Sequence, residues 1–357
     1  MDKETVLVGL SGGVDSAATA VILQEQGYRV IGATMLIWDP NLPLPQGPKK
    51  NACLAPDKDD VREAAAIAQK LGIEYMTVDC RQSYKQTVLD NFRLEYSCGR
   101  TPNPCVLCNS LIKFGVLPSA AKAQGIAFDK FATGHYARVS FDKTSGTYQL
   151  KKALDSSRDQ SYFLYRLKQE QLAHVLFPLG DKTKPQIREK ARQAGLKVAD
   201  KEDSMDFYCG DYNDLLNFSD KPGDIVTLDG KVVAHHDGIW RYTIGKRKGL
   251  GISGFKEPMY VVKLDADKNQ VIIGPKAALY SDTLRAVNVS WVAGKAPATE
   301  FDCDVKIRNL HLPARAHIRI TDDGFEAKFT EPQLSITAGQ SAVLYDQDIV
   351  LGGGIIV

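Results

Sequence analysis

Two cysteines, Cys105 and Cys108, lie three residues apart in the run NPCVLCN. A C-x-x-C spacing suits a metal knuckle, a redox couple or a nucleophile assisted by a second thiol. The chain has seven cysteines in 357 residues, which is too dispersed for a secreted disulfide scaffold. The pair therefore predicts thiol chemistry or metal binding, whereas Cys53, Cys80 and Cys303 are expected to be unreactive buried thiols.

A glycine-rich turn, GLSGGVDS (Gly9 to Ser16), lies between the first predicted strand and the first predicted helix. Gly12 and Gly13 allow the backbone to approach a ligand closely, and two serines supply hydroxyl groups. The amides at the start of the following helix favour an anion. The turn therefore predicts a phosphate site, where the carboxylate of Asp15 makes sense if it holds Mg²⁺.

Two other glycine motifs are excluded. The Walker A pattern is absent from the sequence. A G-x-G-x-x-G run does occur from Gly249 to Gly254, but basic residues precede it and Pro258 follows where a helix should begin. We therefore reject it as a dinucleotide site.

The elements that must position the first glycine turn alternate between strand and helix. Between residue 4 and about 135, strands are predicted at 5–10, 28–38 and 74–79, with helices at about 15–26, 60–72 and 83–97. Single helices between strands predict a parallel sheet. Further helix is predicted after Cys108, where Pro118 should kink or end it. A loop at 41–51, a hairpin at 136–153 and helices at 169–176 and 184–195 complete this region.

Beyond about residue 221 the sequence changes to short alternating strands with turns at Asp229-Gly230 and Asp323-Gly324. The fold class is therefore predicted as an α/β domain with a parallel sheet, a small β-rich domain and a C-terminal β-barrel. The expected boundaries are 1–210, 211–278 and 279–357.

Composition excludes little. The formal net charge of +2 neither requires nor excludes nucleic acid, because binding depends on local charge. There is no run of eighteen apolar residues, and the first ten residues lack a basic and apolar leader. The sequence predicts a cytoplasmic protein without a membrane span.

SGGVDS resembles the pyrophosphate loop of enzymes that cleave ATP between the α and β phosphates. The runs GRTPNPCVLCNSLIKFG, ATGHYARV, DQSYFLYRL, IGKRKGLGI and AGQSAVLYDQDIVLGGGII follow in order along nearly the whole chain. Together they resemble the tRNA 2-thiouridylases of the MnmA type. The resemblance implies an adenine nucleotide α-hydrolase-like sheet domain. It also implies ATP-dependent replacement of O2 by sulfur in the wobble uridine of Lys, Glu and Gln tRNAs, with a cysteine desulfurase or sulfur-relay protein as donor.

The resemblance also implies residue roles. ATP would be held by Gly9, Leu10, Ser11, Gly12, Gly13, Val14, Asp15, Ser16, Met35 and Gly134. Cys108 falls on the family's nucleophile, while Asn103 and Pro104 would contact the flipped-out base. Further tRNA contacts would be made by Cys105, Arg158, Asp159, Gln160, Arg308 and Asn309. Independently of the resemblance, the three consecutive charges of Lys246, Arg247 and Lys248 in a glycine-bounded loop suit contact with the phosphate backbone.

The sequence departs from the family at two cysteine positions. Position 105 is usually Asp, and Tyr208 stands where the family has its persulfide cysteine, with Cys209 one residue later. One interpretation is a persulfide relay from Cys209 with Cys108 resolving. Another is a [4Fe-4S] centre on Cys105, Cys108 and Cys209. A structural zinc with Cys98, or a disulfide between Cys105 and Cys108, also stays open.

Two competing functions remain at this point. Another ATP-pyrophosphatase ligase would leave NPCVLCN and the β-rich third without a role. A tRNA-binding protein without catalysis is suggested by Tyr208 at the usual cysteine position.

Overall fold

The computed structural model describes residues 3–42, 52–203 and 206–357. The α-helices in these ranges are α1 (Val14–Glu25), α2 (Asp57–Leu71), α3 (Arg81–Tyr84), α4 (Asp90–Ser97), α5 (Pro104–Leu107), α6 (Leu117–Ala123), α7 (Gln169–Leu172), α8 (Lys184–Gln193) and α9 (Tyr212–Leu216). Two π-helical segments, Lys85–Leu89 and Cys108–Val116, join α3 to α4 and α5 to α6. Short 3₁₀ turns span Ser161–Phe163, Lys197–Asp200, Ile239–Arg241 and Lys276–Leu279.

The strands of the described residues fall into four sheets. In chain order they are β1 (Thr5–Gly9), β2 (Arg29–Leu36), β3 (Ala52–Leu54), β4 (Glu74–Asp79), β5 (Lys130–Ala132), β6 (Ala137–Asp142), β7 (Thr147–Lys152), β8 (Val175–Leu176), β9 (Asp206–Tyr208), β10 (Gly223–Thr227), β11 (Val232–His236), β12 (Met259–Asp265), β13 (Gln270–Pro275), β14 (Tyr280–Trp291), β15 (Glu300–Lys306), β16 (Ala314–Thr321), β17 (Gly324–Leu334), β18 (Ser341–Asp346) and β19 (Ile349–Ile356).

The first half of the chain is built on a parallel sheet in the order β4-β2-β1-β5-β8. Val6 and Val8 of β1 pack into the core on one face, and Leu7 packs into the core on the other. A strand buried on both faces is typical of a parallel sheet covered by helices. The predicted α/β domain is confirmed, and β1, β2 and β5 end at a common edge, where such sheets bind ligands.

The second half is β-rich, as predicted. A four-stranded sheet has the order β11-β10-β13-β12. Six antiparallel strands, β14-β17-β16-β15-β18-β19, close into a barrel because β14 also pairs with β19. The hairpins around Asp229-Gly230 and Asp323-Gly324 are confirmed. The hairpin of β6 and β7 extends the barrel sheet through Lys151 opposite Ile349, which joins the barrel to the α/β domain.

Of the two outcomes predicted for Pro118, the helix does not end there but continues to Ala123, and the irregular π-helical segment Cys108–Val116 directly precedes the helix that contains the proline. Two other expectations were wrong. The helix predicted at 169–176 ends at Leu172, because Val175–Leu176 pairs with β5. Cys53 is exposed rather than buried. Residues 43–51 of the predicted loop lie outside the described ranges.

The helical run Pro104–Ala123 is long and apolar enough to cross a membrane by length and composition. Half of it is buried inside the protein. This apolar character is therefore explained by its position in the core, where it carries Cys108.

Candidate active site

The glycine turn follows β1 and leads directly into α1. Gly12 has a φ of +74°, in the left-handed region that favours glycine. A Cβ at Gly12 would also lie 3.1 Å from the carbonyl oxygen of Asp60. The N-cap residue of α1 is Gly13, so no side chain of that residue occupies the first amides of the helix. Ser16 donates its hydroxyl to the Gly13 carbonyl at 3.1 Å, which stiffens the turn. This arrangement suits a phosphate group at the start of α1.

The carboxylate of Asp15 is bound by two other side chains. The hydroxyl of Tyr136 donates to Oδ1 at 2.9 Å, and Nζ of Lys184 donates to Oδ1 and Oδ2 at 2.7 and 2.8 Å. A carboxylate has about four lone-pair sites, so capacity for one further ligand remains. The expected Mg²⁺ ion would therefore have to share the Asp15 carboxylate with Lys184. Lys184 was not among the residues predicted from the sequence.

The other predicted ATP residues lie around this turn. Met35 is the second-to-last residue of β2, a strand that pairs with β1. Gly134 lies two residues beyond the end of β5. A Cβ at Gly134 would be 2.8 Å from the carbonyl carbon of Asp15 and 2.9 Å from the amide nitrogen of Ser16. The sheet therefore brings these distant positions together at one edge.

Replacing Gly134 by Ala should distort the glycine turn, because backbone atoms cannot yield to the new methyl group. We expect ATP affinity, measured by calorimetry, to fall by at least about tenfold, or about 1.4 kcal/mol. Gly115→Ala is the control, since its new Cβ would meet nothing closer than 3.6 Å. Equal affinities in the two variants would argue against this turn as the ATP site.

Cys108 is the first residue of the π-helical segment Cys108–Val116 and is 7 % exposed. Burial raises the pKa of its thiol to about 11, although the ammonium of Lys113 opposes this shift and the thiol of Cys53 adds to it. A π-helix bonds residue i to i+5, so Cys108 and Lys113 come to one face. Sequence reasoning missed Lys113 because it assumed ordinary helical spacing.

The pKa of about 11 makes the reactivity of Cys108 dependent on pH. The thiolate is the minor species below this value, so alkylation of Cys108 should rise about tenfold per pH unit between pH 8 and 10. In Lys113→Met the pKa should rise further, slowing alkylation at pH 9 by about tenfold. Lys122→Met, an exposed change in α6, is the control. Mass spectrometry of the Cys108 peptide would measure each rate, and equal rates would exclude the electrostatic role of Lys113.

The run before Cys108 is held by the C-terminal barrel. The amide of Thr101 donates to the carbonyl of Ala338 at 2.9 Å, and Nε2 of Gln340 donates to the carbonyls of Thr101 and Pro102 at 2.9 and 3.1 Å. Asn103 is the N-cap residue of α5, and Pro104 is its first residue. Asn103 also lines a cavity of about 20 Å³, which has room for about one water molecule. The barrel thus fixes the backbone at the predicted base contact.

The second cysteine of the predicted relay follows the short strand β9, which pairs in parallel with β3. Tyr208, at the family's usual cysteine position, is 1 % exposed and stacks on Trp38 at 6.4 Å between ring centroids. Cys209 is partly exposed and packs at the edge of the hydrophobic core that contains Cys108. Tyr208 is therefore a core residue, and Cys209 is the thiol that this segment presents.

All seven cysteines lie in the described ranges, and each is a thiol rather than half of a disulfide. Within residues 3–42, 52–203 and 206–357, no three His, Cys, Asp or Glu side chains lie close enough to hold one metal ion. This bears on a single-ion site such as zinc with Cys98. In a [4Fe-4S] centre each cysteine binds a different iron, so that centre on Cys105, Cys108 and Cys209 stays a prediction.

The predicted tRNA residues differ in what they contact. Arg158 donates to Asp203 at 2.8 Å and lines a cavity of about 640 Å³ with Lys184 and Arg188. Asp159 accepts from the amides of Ala153 and Ser161, and Oε1 of Gln160 accepts from the amide of Tyr136. The side chains of Asp159 and Gln160 are thus engaged inside the protein, whereas Arg158 is 40 % exposed.

The remaining basic positions lie in the β-rich half. Nζ of Lys246 donates to the carbonyl of Arg241 at 2.7 Å, while Arg247 and Lys248 are exposed. Arg308 donates to the carbonyl of Leu334 at 2.8 Å, and Asn309 follows it in the connection between β15 and β16. Arg247 and Lys248 are therefore the members of this group best placed to meet phosphate.

Comparison with known proteins defines the class first. Residues 4–209 match the family model described as the tRNA methyl transferase HUP domain. Residues 215–275 match the tRNA methyl transferase PRC-barrel domain, and residues 281–356 match the aminomethyltransferase beta-barrel domain. The chain thus carries, in order, one α/β domain and two β domains of a recognised set.

Full-length relatives then define the family. The tRNA-specific 2-thiouridylase MnmA of Endomicrobium trichonymphae is 51 % identical over 354 residues, which cover 99 % of this chain and 98 % of the relative. The proteins of the same name from Geotalea uraniireducens and Acetivibrio thermocellus are 43 % and 42 % identical, covering 99 % and 100 % of this chain and 94 % and 100 % of theirs. This chain belongs to the family of tRNA-specific 2-thiouridylases, so the predicted resemblance is confirmed.

Proposed function

We propose that this protein uses ATP to replace O2 of the wobble uridine in Lys, Glu and Gln tRNAs with sulfur. The observation that carries the proposal is that one domain holds both a glycine turn at the start of α1, suited to phosphate, and a buried thiol, Cys108, on a helical run held by the barrel. The full-length relatives named tRNA-specific 2-thiouridylase support the same reaction.

The chemistry needs an activated carbonyl and a sulfur nucleophile. Uridine O2 attacks the α-phosphate of ATP and pyrophosphate leaves, which turns O2 into part of a leaving group. A persulfide on Cys209 then attacks C2, and AMP departs with the oxygen. The Cys108 thiolate next attacks Sγ of Cys209; the Cys209 S–S bond breaks, the outer sulfur stays on C2, and a Cys108–Cys209 disulfide forms. A dithiol reductant restores both thiols.

Within this scheme the glycine turn, Met35 and Gly134 hold ATP. Asp15 supplies the carboxylate for a Mg²⁺ ion, which would offset the charge of the phosphates. Asn103 and Pro104 contact the uracil, which must leave the anticodon stack to be reached. In the relay, Cys105, which neighbours them, contributes a thiol to the base pocket. In the alternative mechanism it would instead be a ligand of a [4Fe-4S] centre with Cys108 and Cys209.

The proposed tRNA surface combines the three domains, taken as 1–210, 211–278 and 279–357. Arg158 on the first, the Lys246–Lys248 run on the second, and Arg308 with Asn309 on the third would contact phosphate and sugar. Asp159 and Gln160 would act through the backbone that they hold. A cysteine desulfurase or a sulfur-relay protein of the cytoplasm would load Cys209.

The test is formation of 2-thiouridine by purified protein supplied with tRNA, ATP and a persulfide donor. Mass spectrometry of digested tRNA should detect 2-thiouridine only when all three are present. Transcripts of the Lys, Glu and Gln tRNAs should be substrates, while versions with cytidine at the wobble position should not. If the protein instead cleaved ATP with a small metabolite and without tRNA, it would be an ATP-pyrophosphatase ligase. If it bound tRNA without turnover, it would be a non-catalytic tRNA-binding protein.

A further inference from the structure

Lys184, the first residue of α8, is 5 % exposed and joins two parts of the chain that are far apart in sequence. Its Nζ lies 2.7 Å from Oδ1 and 2.8 Å from Oδ2 of Asp15, in the glycine turn. The same Nζ lies 2.6 Å from Oδ1 of Asp203. One buried ammonium is thus shared between two carboxylates, and neither carboxylate can change its contacts without affecting the other.

Asp203 is held by three cations. Besides Lys184, Arg158 contacts Oδ2 at 2.8 Å and Arg188 contacts Oδ1 at 3.4 Å. Although burial alone would raise the pKa of the Asp203 carboxyl, its hydrogen bond to Lys184 and the nearby positive charges lower it. Arg188 also donates to the carbonyls of Ala199 and Lys201. Asp203 is therefore an ionised anchor at a fixed position.

The anchor stands at the start of the segment that carries the second relay thiol. Cys209 lies six residues beyond Asp203, and β9 lies between them. β9 is paired with β3, with Ala52 opposite Asp206 and Leu54 opposite Tyr208. Asp203 is thus held by its cations, and residues 206–208 are held by their pairing with β3. Because Cys209 is only six residues from Asp203 along the chain, a shift of Asp203 can reach Cys209 through the covalent backbone.

We propose that Lys184 and Asp203 are positioning residues that couple occupancy of the ATP turn to the placement of Cys209. The inference rests on the proposed function, because it takes the glycine turn as the ATP site. ATP brings phosphate charge beside the start of α1, and this charge competes with Asp203 for the Lys184 ammonium. The contacts between Lys184 and Asp203 therefore differ between the empty and the ATP-occupied turn. Because coupling between two sites is reciprocal, a change in the placement of Cys209 alters the free energy of ATP binding by the same amount.

The test measures how ATP changes the reactivity of Cys209. The full-length protein is alkylated with and without ATP, and the Cys209 peptide is quantified by mass spectrometry while calorimetry gives the affinity for ATP. In the unaltered protein we expect ATP to change the rate at least about fivefold, the lower range of coupling between sites. In Asp203→Asn, which keeps shape but removes the charge, the change should fall below about twofold.

Asp200→Asn is the matched control, because Asp200 lies three residues earlier, is 78 % exposed and pairs only with Arg192 among the contacts of the described residues. It should keep the full ATP effect. Two results would overturn the coupling but not the proposed function. One is that ATP still changes the alkylation rate of Cys209 fivefold in Asp203→Asn; the other is that ATP binds to the unaltered protein without changing that rate. Failure of the unaltered protein to bind ATP overturns the proposed function as well.

Arg188→Gln provides a second variant in case Asp203→Asn does not fold. It weakens the hold on Asp203 without altering a contact to Asp15. We expect it to reduce the ATP effect on Cys209 while leaving ATP affinity within about threefold of the unaltered value. An undiminished ATP effect in Arg188→Gln would overturn the proposal. A residue that merely supports the fold would not change the dependence on ATP.

Discussion

Replacing Cys108 by Ser should abolish 2-thiouridine formation, lowering the rate by at least about a thousandfold, or about 4 kcal/mol. A serine hydroxyl cannot attack the sulfur of Cys209 to release the thiolated base, and it cannot form the disulfide that the scheme requires. The substitution adds no volume at this buried position. ATP affinity should therefore stay unchanged. Mass spectrometry of tRNA nucleosides measures the first effect, and calorimetry the second.

Cys98→Ser is the control for that experiment. Cys98 is a partly exposed thiol at the end of α4, near the same run, and its Sγ lies 3.9 Å from the hydroxyl of Ser97. A zinc site that used Cys98 would be lost in this variant, whereas the relay would keep its activity. Unchanged thiolation in Cys108→Ser would remove this residue from the mechanism and would contradict the proposed release of sulfur by Cys108.

Lys184→Met should cause the largest loss of stability. It leaves the carboxylates of Asp15 and Asp203 without the ammonium that lies between them, and removing one partner of a buried pair costs about 3–5 kcal/mol. Denaturant unfolding would measure this loss. Lys190→Met in the same helix is the control, because Lys190 pairs with Glu25 at an exposed site, where ion pairs contribute less than about 1 kcal/mol. Similar losses in both variants would refute the central role of Lys184.

The glycine turn between β1 and α1 could be predicted from the sequence because its cause is local. Two adjacent glycines between a strand and a helix are typical of a phosphate site, and the order of strands and helices then indicates the parallel sheet. Lys184 could not be found in this way. It contacts Asp15 across 169 positions of sequence, and in the sequence it is one of several basic residues in an amphipathic helix. Tertiary contacts of this kind leave no periodic signal.

The cysteine region shows a different limit. The C-x-x-C spacing identified Cys105 and Cys108, yet four interpretations stayed open, because a spacing does not give the distance to Cys209. The π-helical segment was also unforeseen, and it is this geometry that brings Lys113 to Cys108. Tyr208 stands in place of a cysteine, and its stacking on Trp38 makes it part of the core. These features depend on packing rather than on local pattern.

The most direct test follows one sulfur atom through a single turnover. The protein is loaded with a sulfur-34 persulfide by a cysteine desulfurase, the donor is removed, and tRNA is added with or without ATP. The proposed mechanism predicts sulfur-34 in 2-thiouridine, approaching one atom per protein and only with ATP, together with a peptide that joins Cys108 to Cys209. Absence of sulfur-34 from the nucleoside, or its appearance without ATP, would contradict the mechanism.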